Sequence, residues 1–423
     1  MIRKHLQALR FSPTLKINEL VRAKRAAGRT VYHLGFGQSP FGAHPAIREA
    51  LAANADKVMY LPVAGLESLR ERALAYFADK LHFDADGFDV TVGSGSKQLI
   101  FDAQSAVQGD LLMPVPSWVS YGPQAALLQD NVVRVFTRKE DLYHVTPDGL
   151  ETAIREARNK GLNPAKLVLN YPNNPSGLEL NAERLRELAD VCRKHGLVVI
   201  SDEIYALVNY AGDHQSIARY YPEGTVVTTG LSKHLSLGGY RLGLAFVPKA
   251  ATGLSKAMRT IGSATWSCVS SPAQYAALRA VEDDPELELY VQDCTRVHGL
   301  VSRYACTQLN TLGLAYPEPQ GAFYLYPNMT ARAPALEQAH GVRTSEELAT
   351  DLLERTSVAT LPGTAFGDRP QTLALRIAMC DYDGDQALAG LRADRAMAAA
   401  DFVARYCPHV AEGVRRLVEY VGG

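Results

Sequence analysis

Short, continuous runs of apolar residues alternate with amphipathic stretches through the middle of the chain. The amphipathic stretches, such as residues 97–107 and 183–195, have helical periodicity and predict helices. The apolar runs are rich in Val, Leu and Ile, which is typical of strands buried on both faces of a mainly parallel sheet. We therefore predict an α/β fold in which helices flank a mainly parallel, seven-stranded sheet. The predicted strands are residues 89–92, 111–115, 132–136, 166–169, 197–201, 226–229 and 242–247.

The pattern changes in the last third of the chain. A long helical pattern is followed by alternating short strands and helices, which predicts a smaller α+β domain. The N-terminal arm is too short to fold alone, so we expect it to join this smaller domain. The predicted division is residues 1–44 for the arm, 45–290 for the large domain and 291–423 for the small domain. The C-terminal elements are helices at 285–309 and 345–355, strands at 323–326 and 373–378, and terminal helices.

Composition narrows the class of protein. The chain has 423 residues, of which 47% are hydrophobic and 21% charged, as in globular proteins with a large core. Lys and Arg number 44 against 45 Asp and Glu, which argues against a non-specific nucleic-acid surface. No stretch has the length of a membrane span or a signal-peptide core. Six scattered cysteines without a C-x-x-C pair favour a reduced, cytoplasmic protein, and the histidine spacing predicts no metal site.

The segment 229–241, T-G-L-S-K-H-L-S-L-G-G-Y-R, follows a predicted strand. Its lysine, Lys233, can serve as a nucleophilic amine, and Arg241 can hold an anion nearby. An imine to an aldehyde and a cation for a phosphate are the two attachments that pyridoxal phosphate (PLP) needs. A segment of this kind taken alone is more often a solvated turn, so the prediction depends on the other segments.

Two further loops follow predicted strands and carry polar side chains. Asp202 comes just after an apolar run, where open α/β sheets place ligand-binding residues, and could pair with a protonated pyridine nitrogen. Tyr205 could donate to the phenolic oxygen of the same ring. The N-Y-P-N-N-P-S-G stretch at 170–177 has a backbone restricted by proline, so Asn174 could be a second donor. The alternatives are an aspartate that caps a turn and an ordinary proline-rich loop.

Three more features fit a phosphate-bearing ligand and its substrate. Gly95, Ser96 and Lys97 join a strand to a helix, where backbone N–H groups can bind an anion, although an N-capping turn would have the same sequence. Trp118 could stack on the ring or belong to the core. Arg376 interrupts an apolar strand and needs an anionic partner, which could be a substrate carboxylate or an internal salt bridge.

Taken together, these segments resemble the class I/II aminotransferases, which are PLP enzymes of fold type I. The resemblance covers about residues 34–379. Its most specific motifs are N-N-P-S-G at 173–177, S-D-E-I-Y at 201–205 and S-K-x₇-R at 232–241. Weaker marks are Y-L-P-V-A-G-L-E-S-L-R at 60–70, P-S-W at 116–118, P-G-T-A-F-G at 362–367 and L-R-I at 375–377.

The resemblance implies a role for each of these residues. The family reads S-x-S-K in many members, whereas this chain has Gly230 at the first serine, so Thr229 or Ser232 replaces that phosphate contact or the contact is lost. Tyr60 matches a tyrosine that reaches the phosphate of a neighbouring subunit, which implies a homodimer with shared sites. The implied catalytic residues are Lys233 (the Schiff-base lysine), Asp202 and Tyr205; the cofactor also contacts Gly95, Ser96, Lys97, Trp118, Asn174 and Arg241; and the substrate contacts Gly37, Asn174 and Arg376.

The implied activity is transamination from an L-amino acid to a 2-oxo acid by a ping-pong mechanism, with Lys233 as the proton shuttle. A PLP-dependent lyase, cyclase or oxidase on the same scaffold is the first alternative, because fold does not fix function. A non-catalytic PLP-fold binding or regulatory protein ranks lower. The identity of the amino acid stays open, since no second arginine for a dicarboxylate can be selected among Arg259, Arg279 and Arg296.

Overall fold

A computed structural model describes residues 2–7, 9 and 11–423. Within these residues, twelve strands follow one another in chain order, and seven of them form the main sheet. The strands are β1 Tyr32–His33, β2 Phe88–Gly93, β3 Asp110–Val115, β4 Val132–Phe136, β5 Pro164–Asn170, β6 Val198–Asp202, β7 Thr225–Gly230, β8 Gly243–Pro248, β9 Tyr324–Leu325, β10 Val358–Ala359, β11 Leu361–Pro362 and β12 Leu375–Ala378.

Sixteen α-helices occur within the described residues. None of them is long and apolar enough to cross a membrane. The helices are α1 Lys4–Gln7, α2 Pro13–Ala26, α3 Pro45–Ala53, α4 Glu67–Leu81, α5 Ser96–Ala106, α6 Tyr121–Leu128, α7 Pro147–Asn159, α8 Ala182–His195, α9 Leu254–Thr265, α10 Ser271–Ala280, α11 Pro285–Asn310, α12 Ala333–His340, α13 Ser345–Thr356, α14 Gly384–Ala393, α15 Ala399–Tyr406 and α16 Pro408–Gly422.

The main sheet has the strand order β2-β8-β7-β6-β5-β3-β4. Only β8 runs antiparallel to its neighbours β2 and β7, so the sheet is mainly parallel, as predicted. The central strands β6, β7 and β8 are buried almost throughout, which explains why they appear in the sequence as unbroken apolar runs. Each of the seven predicted strands is present, with ends that differ by no more than a few residues.

The N-terminal arm is joined to the C-terminal part by a short parallel pair. Strand β1 pairs with β10, with Tyr32 opposite Val358. A three-stranded antiparallel sheet, β11-β12-β9, lies in the same part of the chain. Both predicted strands here are shorter than expected: β9 covers Tyr324–Leu325 and β12 covers Leu375–Ala378, although Phe323 and Leu373 beyond their ends each accept a backbone hydrogen bond. The pairing is consistent with the expected grouping of the arm, whereas the domain limits stay a prediction.

Parallel strands bring their carboxyl ends to one edge of the main sheet. Asn170 at the end of β5 lies opposite Asp202 at the end of β6, and Asp202 lies opposite Thr228 of β7. The amide of Asn170 also donates to the carbonyl of Asp202 at 2.8 Å. The loops that follow these three strands therefore start side by side, and they carry the predicted site residues.

Candidate active site

A cavity of about 470 Å³ opens at this edge of the sheet, between the loops and the N-terminal arm. It brings together ten of the twelve predicted site residues from segments far apart in the chain. The ten are Gly37, Ser96, Lys97, Trp118, Asn174, Asp202, Tyr205, Lys233, Arg241 and Arg376.

Lys233 follows β7 and reaches into this cavity. Its Nζ donates to the carbonyl oxygen of Gly37 at 3.2 Å and lies 5.4 Å from the ring centre of Tyr205 and 5.5 Å from that of Phe323. Burial lowers the pKa of Lys233 to about 8. With such a pKa, about a tenth of the lysine is neutral at pH 7 and about half at pH 8, whereas an unperturbed lysine is almost wholly protonated there. Both a nucleophilic amine and a general base require this neutral form.

Asp202 is buried, and its two carboxylate oxygens differ. One oxygen, Oδ2, accepts a hydrogen bond from the hydroxyl of Tyr121 at 2.6 Å, whereas Oδ1 is buried without a partner. Burial raises the pKa of Asp202 to about 6, although the hydrogen bond from Tyr121 acts in the opposite direction. An unpartnered acceptor in a cavity is costly unless a ligand supplies a donor. Tyr121 was not predicted from the sequence. Its position three residues after Trp118 was the one feature that could have indicated a place in the site.

Asn174 is held by the turn around it. Its backbone N–H donates to the side-chain oxygen of Asn170 at 2.7 Å, and Asn173 fixes the rest of the turn through Ser176. The side-chain oxygen of Asn174 itself is buried without a partner. The amide is thus rigidly placed at the cavity with hydrogen-bonding capacity left for a ligand.

Tyr205 shares a hydrogen bond with a residue that was not predicted from the sequence. Its hydroxyl lies 2.7 Å from the hydroxyl of Tyr324, which in turn lies 3.5 Å from the carbonyl of Gly37. A β-carbon on Gly37 would stand 2.0 Å from the Tyr324 hydroxyl, so only glycine fits there. Gly37 therefore brings the N-terminal arm close to both Tyr324 and Lys233.

The start of α5 forms a cup next to a guanidinium. Gly95 precedes the helix with a φ of +83° and provides no side-chain cap, so the first N–H groups remain free of a capping side chain. A β-carbon on Gly95 would lie 2.6 Å from Nη2 of Arg241, and that nitrogen also donates to the carbonyl of Ser94 at 3.2 Å. Lys97 lies 5.1 Å over the ring of Trp118. Helix N–H groups with two cations suit a phosphate.

The structure explains why glycine occupies position 230. A β-carbon there would lie 2.7 Å from the carbonyl oxygen of Leu242, so a serine would require the backbone to move. Of the two proposed substitutes, Thr229 is buried and donates to the carbonyl of Glu203 at 3.3 Å, whereas Ser232 lines the cavity. Ser232 is therefore the candidate for the missing phosphate contact.

Arg376 on β12 is 1% exposed. It donates to the carbonyl of Gly35, and it lies 4.8 Å over the ring of Tyr324, but its Nε has no partner. Within the described part of the chain, no carboxylate forms a salt bridge with it. The internal salt bridge considered above is therefore absent there, and a buried cation is left to bind an anion from solution.

The other candidates lie outside the cavity. Tyr60 is 88% exposed on the surface of this chain. Arg259 lies near Asp89, while Arg279 pairs with acidic neighbours and Arg296 donates to a backbone carbonyl, so none of the three contributes to the cavity. Over the described residues, no cluster of His, Cys, Asp and Glu could hold a metal ion.

The residues present fit PLP. An unpartnered carboxylate oxygen, an unpartnered amide, an amine with a lowered pKa and an anion cup lie around one cavity. A family model described as aminotransferase class I and II matches residues 29–390. The chain belongs to the class I and II aminotransferases.

Individual relatives agree with this family. An aspartate aminotransferase of Geobacillus stearothermophilus is 34% identical over 373 residues, which cover 86% of this chain and 91% of the relative. An aspartate/prephenate aminotransferase of Cereibacter sphaeroides is 32% identical, with the same coverage. The structure of a Thermus thermophilus aspartate aminotransferase with maleate superimposes with a TM-score of 0.83 at 26% identity over 99% of both chains. The chain is a PLP-dependent enzyme that transfers an amino group from an amino acid to a 2-oxo acid by a ping-pong mechanism, which confirms the predicted fold, cofactor and activity.

Proposed function

We propose that this aminotransferase acts on acidic L-amino acids of the aspartate type. The buried Arg376 guanidinium, whose Nε has no partner, can grip the α-carboxylate that every amino acid carries, so the observation that carries the acidic preference lies elsewhere in the cavity. The cavity also contains the hydroxyl of Thr14, whose oxygen is buried without a partner, and the side chains of Ser12 and Lys97. These groups suit a second polar end on the substrate. Several similar proteins are named aspartate aminotransferases.

We assign the chemistry to residues of this chain. When bound, PLP supplies an electron sink that weakens the Cα–H bond of the amino acid. Lys233, as a neutral amine, removes the Cα proton and later returns it on the cofactor side, acting as a base and then as an acid. Arg376 and Gly37 orient the substrate, so that the Cα–H bond faces Lys233.

The remaining groups hold the cofactor. The Asp202 carboxylate would stabilise a positive charge on the ring nitrogen of PLP. As a general scale, two opposite charges about 4 Å apart attract by about 4 kcal/mol at an effective dielectric near 20. Asn174 and Tyr205 would donate to the ring oxygen, and Trp118 would stack on the ring. The phosphate would be held by Gly95, Ser96, Lys97 and Arg241, with Ser232 as an added contact.

We also propose a homodimer. Tyr60 is 88% exposed and follows Val58 and Met59, which are 83% and 78% exposed. Three consecutive exposed side chains of this kind suit a surface that a second copy of the chain covers.

The cysteines of the described residues are all free, which is compatible with the proposed cytoplasmic location. The homodimer is tested by the mass of the protein in solution. Light scattering should give about twice the 46.0 kDa chain mass, and a monomer would contradict the proposal.

The substrate proposal is tested by single half-reactions. Loaded enzyme is mixed with L-aspartate, L-phenylalanine or L-alanine without a 2-oxo acid, and the change in cofactor absorbance is followed. We expect the largest kcat/KM with L-aspartate, with one equivalent of oxaloacetate formed per site and no ammonia. Ammonia release would instead indicate a lyase, and a preference for phenylalanine would contradict the acidic substrate.

The contribution of the arm is tested by Thr14→Val. This change removes a hydroxyl while keeping the shape, so KM for L-aspartate should rise while KM for L-alanine stays constant. Thr360→Val is the matched control, because the Thr360 hydroxyl is also buried without a partner but does not line the cavity. Equal effects of Thr14→Val on both substrates would contradict a role in recognising the acidic side chain.

A further inference from the structure

A buried ionic cluster lies next to the active site but outside its cavity. It consists of Glu179, Glu203 and His214. Nδ1 of His214 lies 3.1 Å from Glu179 Oε2, and Nε2 lies 3.1 Å from Glu203 Oε2. His214 is 4% exposed and Glu203 is fully buried. None of the three side chains lines the cavity, so the chemistry assigned above does not use them.

The geometry fixes the charge of the histidine. Carboxylate oxygens accept hydrogen bonds, and both ring nitrogens of His214 face one, so both nitrogens must carry protons. Burial by itself would lower the pKa of His214, but the charges and hydrogen bonds of Glu179 and Glu203 outweigh it and raise the pKa to about 10. The titratable groups facing the ring are these two carboxylates and Tyr171, which stacks on it at 5.1 Å. The cluster therefore carries one net negative charge.

Hydroxyl groups satisfy the remaining capacity of Glu203. Its Oε1 accepts from Ser201 at 2.6 Å, from Ser216 at 2.7 Å and from Tyr171 at 3.1 Å. Glu179 is held on its side by the amide of Asn209 at 2.8 Å. A network that is this completely satisfied is rigid, and breaking one side of it leaves a buried charge without its partner.

The cluster connects the segments that carry the site residues. Glu203 directly follows Asp202, and its backbone N–H donates to the carbonyl of Thr228 at 2.8 Å on the strand that leads to Lys233. Tyr171 directly follows Asn170, whose side chain binds both the Asp202 carbonyl and the N–H of Asn174. The ends of β5, β6 and β7 are thus held against one another by the Asn170 amide at the cavity and by Glu203 and Tyr171 outside it.

We propose that His214, held as a cation between Glu179 and Glu203, is a positioning residue for the PLP site. It fixes the loops that present Asp202 and Asn174, and it balances the charge of the carboxylates next to Asp202. This inference rests on the proposed role of Asp202 at the cofactor ring.

The first test compares His214→Gln with the double variant His214→Gln/Glu179→Gln. The single change leaves two uncompensated carboxylates, whereas the double change restores one net negative charge with neutral donors in place. We expect the single variant to bind PLP at least about tenfold more weakly, because breaking one side of a buried pair is costly. We also expect the pH midpoint of the bound cofactor's absorbance change to move upward, since added negative charge favours protonated forms. The double variant should return the midpoint towards the wild-type value.

His340→Gln is the matched control, because His340 is a partly buried histidine that contacts the Tyr420 carbonyl far along the chain from the site. If His214→Gln only lowers the melting temperature, as the control does, and leaves the PLP affinity and midpoint unchanged, the proposal is wrong. An Asp202→Asn variant measured alongside distinguishes failure of this inference from failure of the role assigned to Asp202. If the pH midpoint of the cofactor absorbance is normal in His214→Gln but shifted in Asp202→Asn, this inference alone is wrong. Unchanged midpoints in both variants refute the assigned role of Asp202 as well.

A measurement on the wild-type protein avoids any failure of the variants to fold. Nitrogen NMR of protein labelled at histidine should show one buried ring that stays protonated at both nitrogens from about pH 6 to about pH 9, as expected for a histidine held between two carboxylates. A ring at this position that is neutral at pH 8 would overturn the proposal.

Discussion

Replacing Asp202 by asparagine should make the cofactor-free protein more stable while damaging the enzyme. The carboxylate is buried with one oxygen unpartnered, and burial raises its pKa from 3.8 to about 6. The folded state thus binds a proton more tightly than the unfolded state does. The charged form therefore destabilises the fold increasingly as pH rises from about 4, and fully above about 6. A difference of about two pKa units corresponds to about 3 kcal/mol of lost stability at pH 8.

The asparagine of the Asp202→Asn variant would keep the hydrogen bond from Tyr121 and lose the buried charge. Part of the gain is offset, because the new amide N–H would itself lack a partner, at a cost of about 1 kcal/mol or more. We expect a net rise of about 1–2 kcal/mol in the unfolding free energy at pH 8 and little or no rise near pH 4. Denaturant unfolding of the cofactor-free protein at the two pH values measures this difference.

Binding of PLP should reverse the order of stability of the wild-type and Asp202→Asn proteins. Loss of the charge pair of about 4 kcal/mol predicts a fall of about a thousandfold in the amino-transfer rate, and the loaded wild-type protein should then be the more stable of the two. Asp293→Asn is the control, because Asp293 is a buried carboxylate that pairs with Arg392 and Arg395 and lies outside the cavity. That variant should be less stable at both pH values and retain its PLP affinity. A less stable Asp202→Asn protein without cofactor at pH 8 would refute the reasoning.

Three other predictions concern the same cavity. Arg376→Lys should raise KM for every amino acid about a hundredfold in steady-state kinetics, because lysine lacks the bidentate fork. An equal loss of PLP affinity in a cofactor titration would contradict this role. Gly230→Ser should lose about 1–3 kcal/mol of stability in denaturant unfolding, since its β-carbon meets the Leu242 carbonyl at 2.7 Å, and an unchanged midpoint would argue against that contact. Burial lowers the pKa of Lys233 to about 8, so PLP association with the cofactor-free protein should accelerate from pH 7 to pH 9 as the amine loses its proton. Stopped-flow association rates that rise with a midpoint near pH 10 would contradict this.

The main sheet was predictable because its strands are buried on both faces. That burial leaves unbroken Val, Leu and Ile runs, and the loops after them supply Asp202, Asn174 and Lys233 at one edge. Strands β9 and β12 were predicted too long, because buried apolar residues such as Phe323 and Leu373 extend the apolar pattern beyond the ends of the strands.

The partners of the site residues could not be predicted in the same way. Tyr121 is 81 residues from Asp202, and Tyr324 is 119 residues from Tyr205, so these hydrogen bonds exist only after the chain has folded. His214 has no local signal either, because its meaning depends on two carboxylates brought to it by different parts of the chain. The role of Tyr60 depends on a second subunit and remains a prediction.

The central claim is that one lysine amine carries the cofactor, and reductive trapping tests it directly. Loaded protein is treated with borohydride, digested and mapped by mass spectrometry. The account predicts one stable cofactor adduct per chain, on the peptide that contains Lys233. An adduct on another lysine, or none on fully loaded protein, would contradict it.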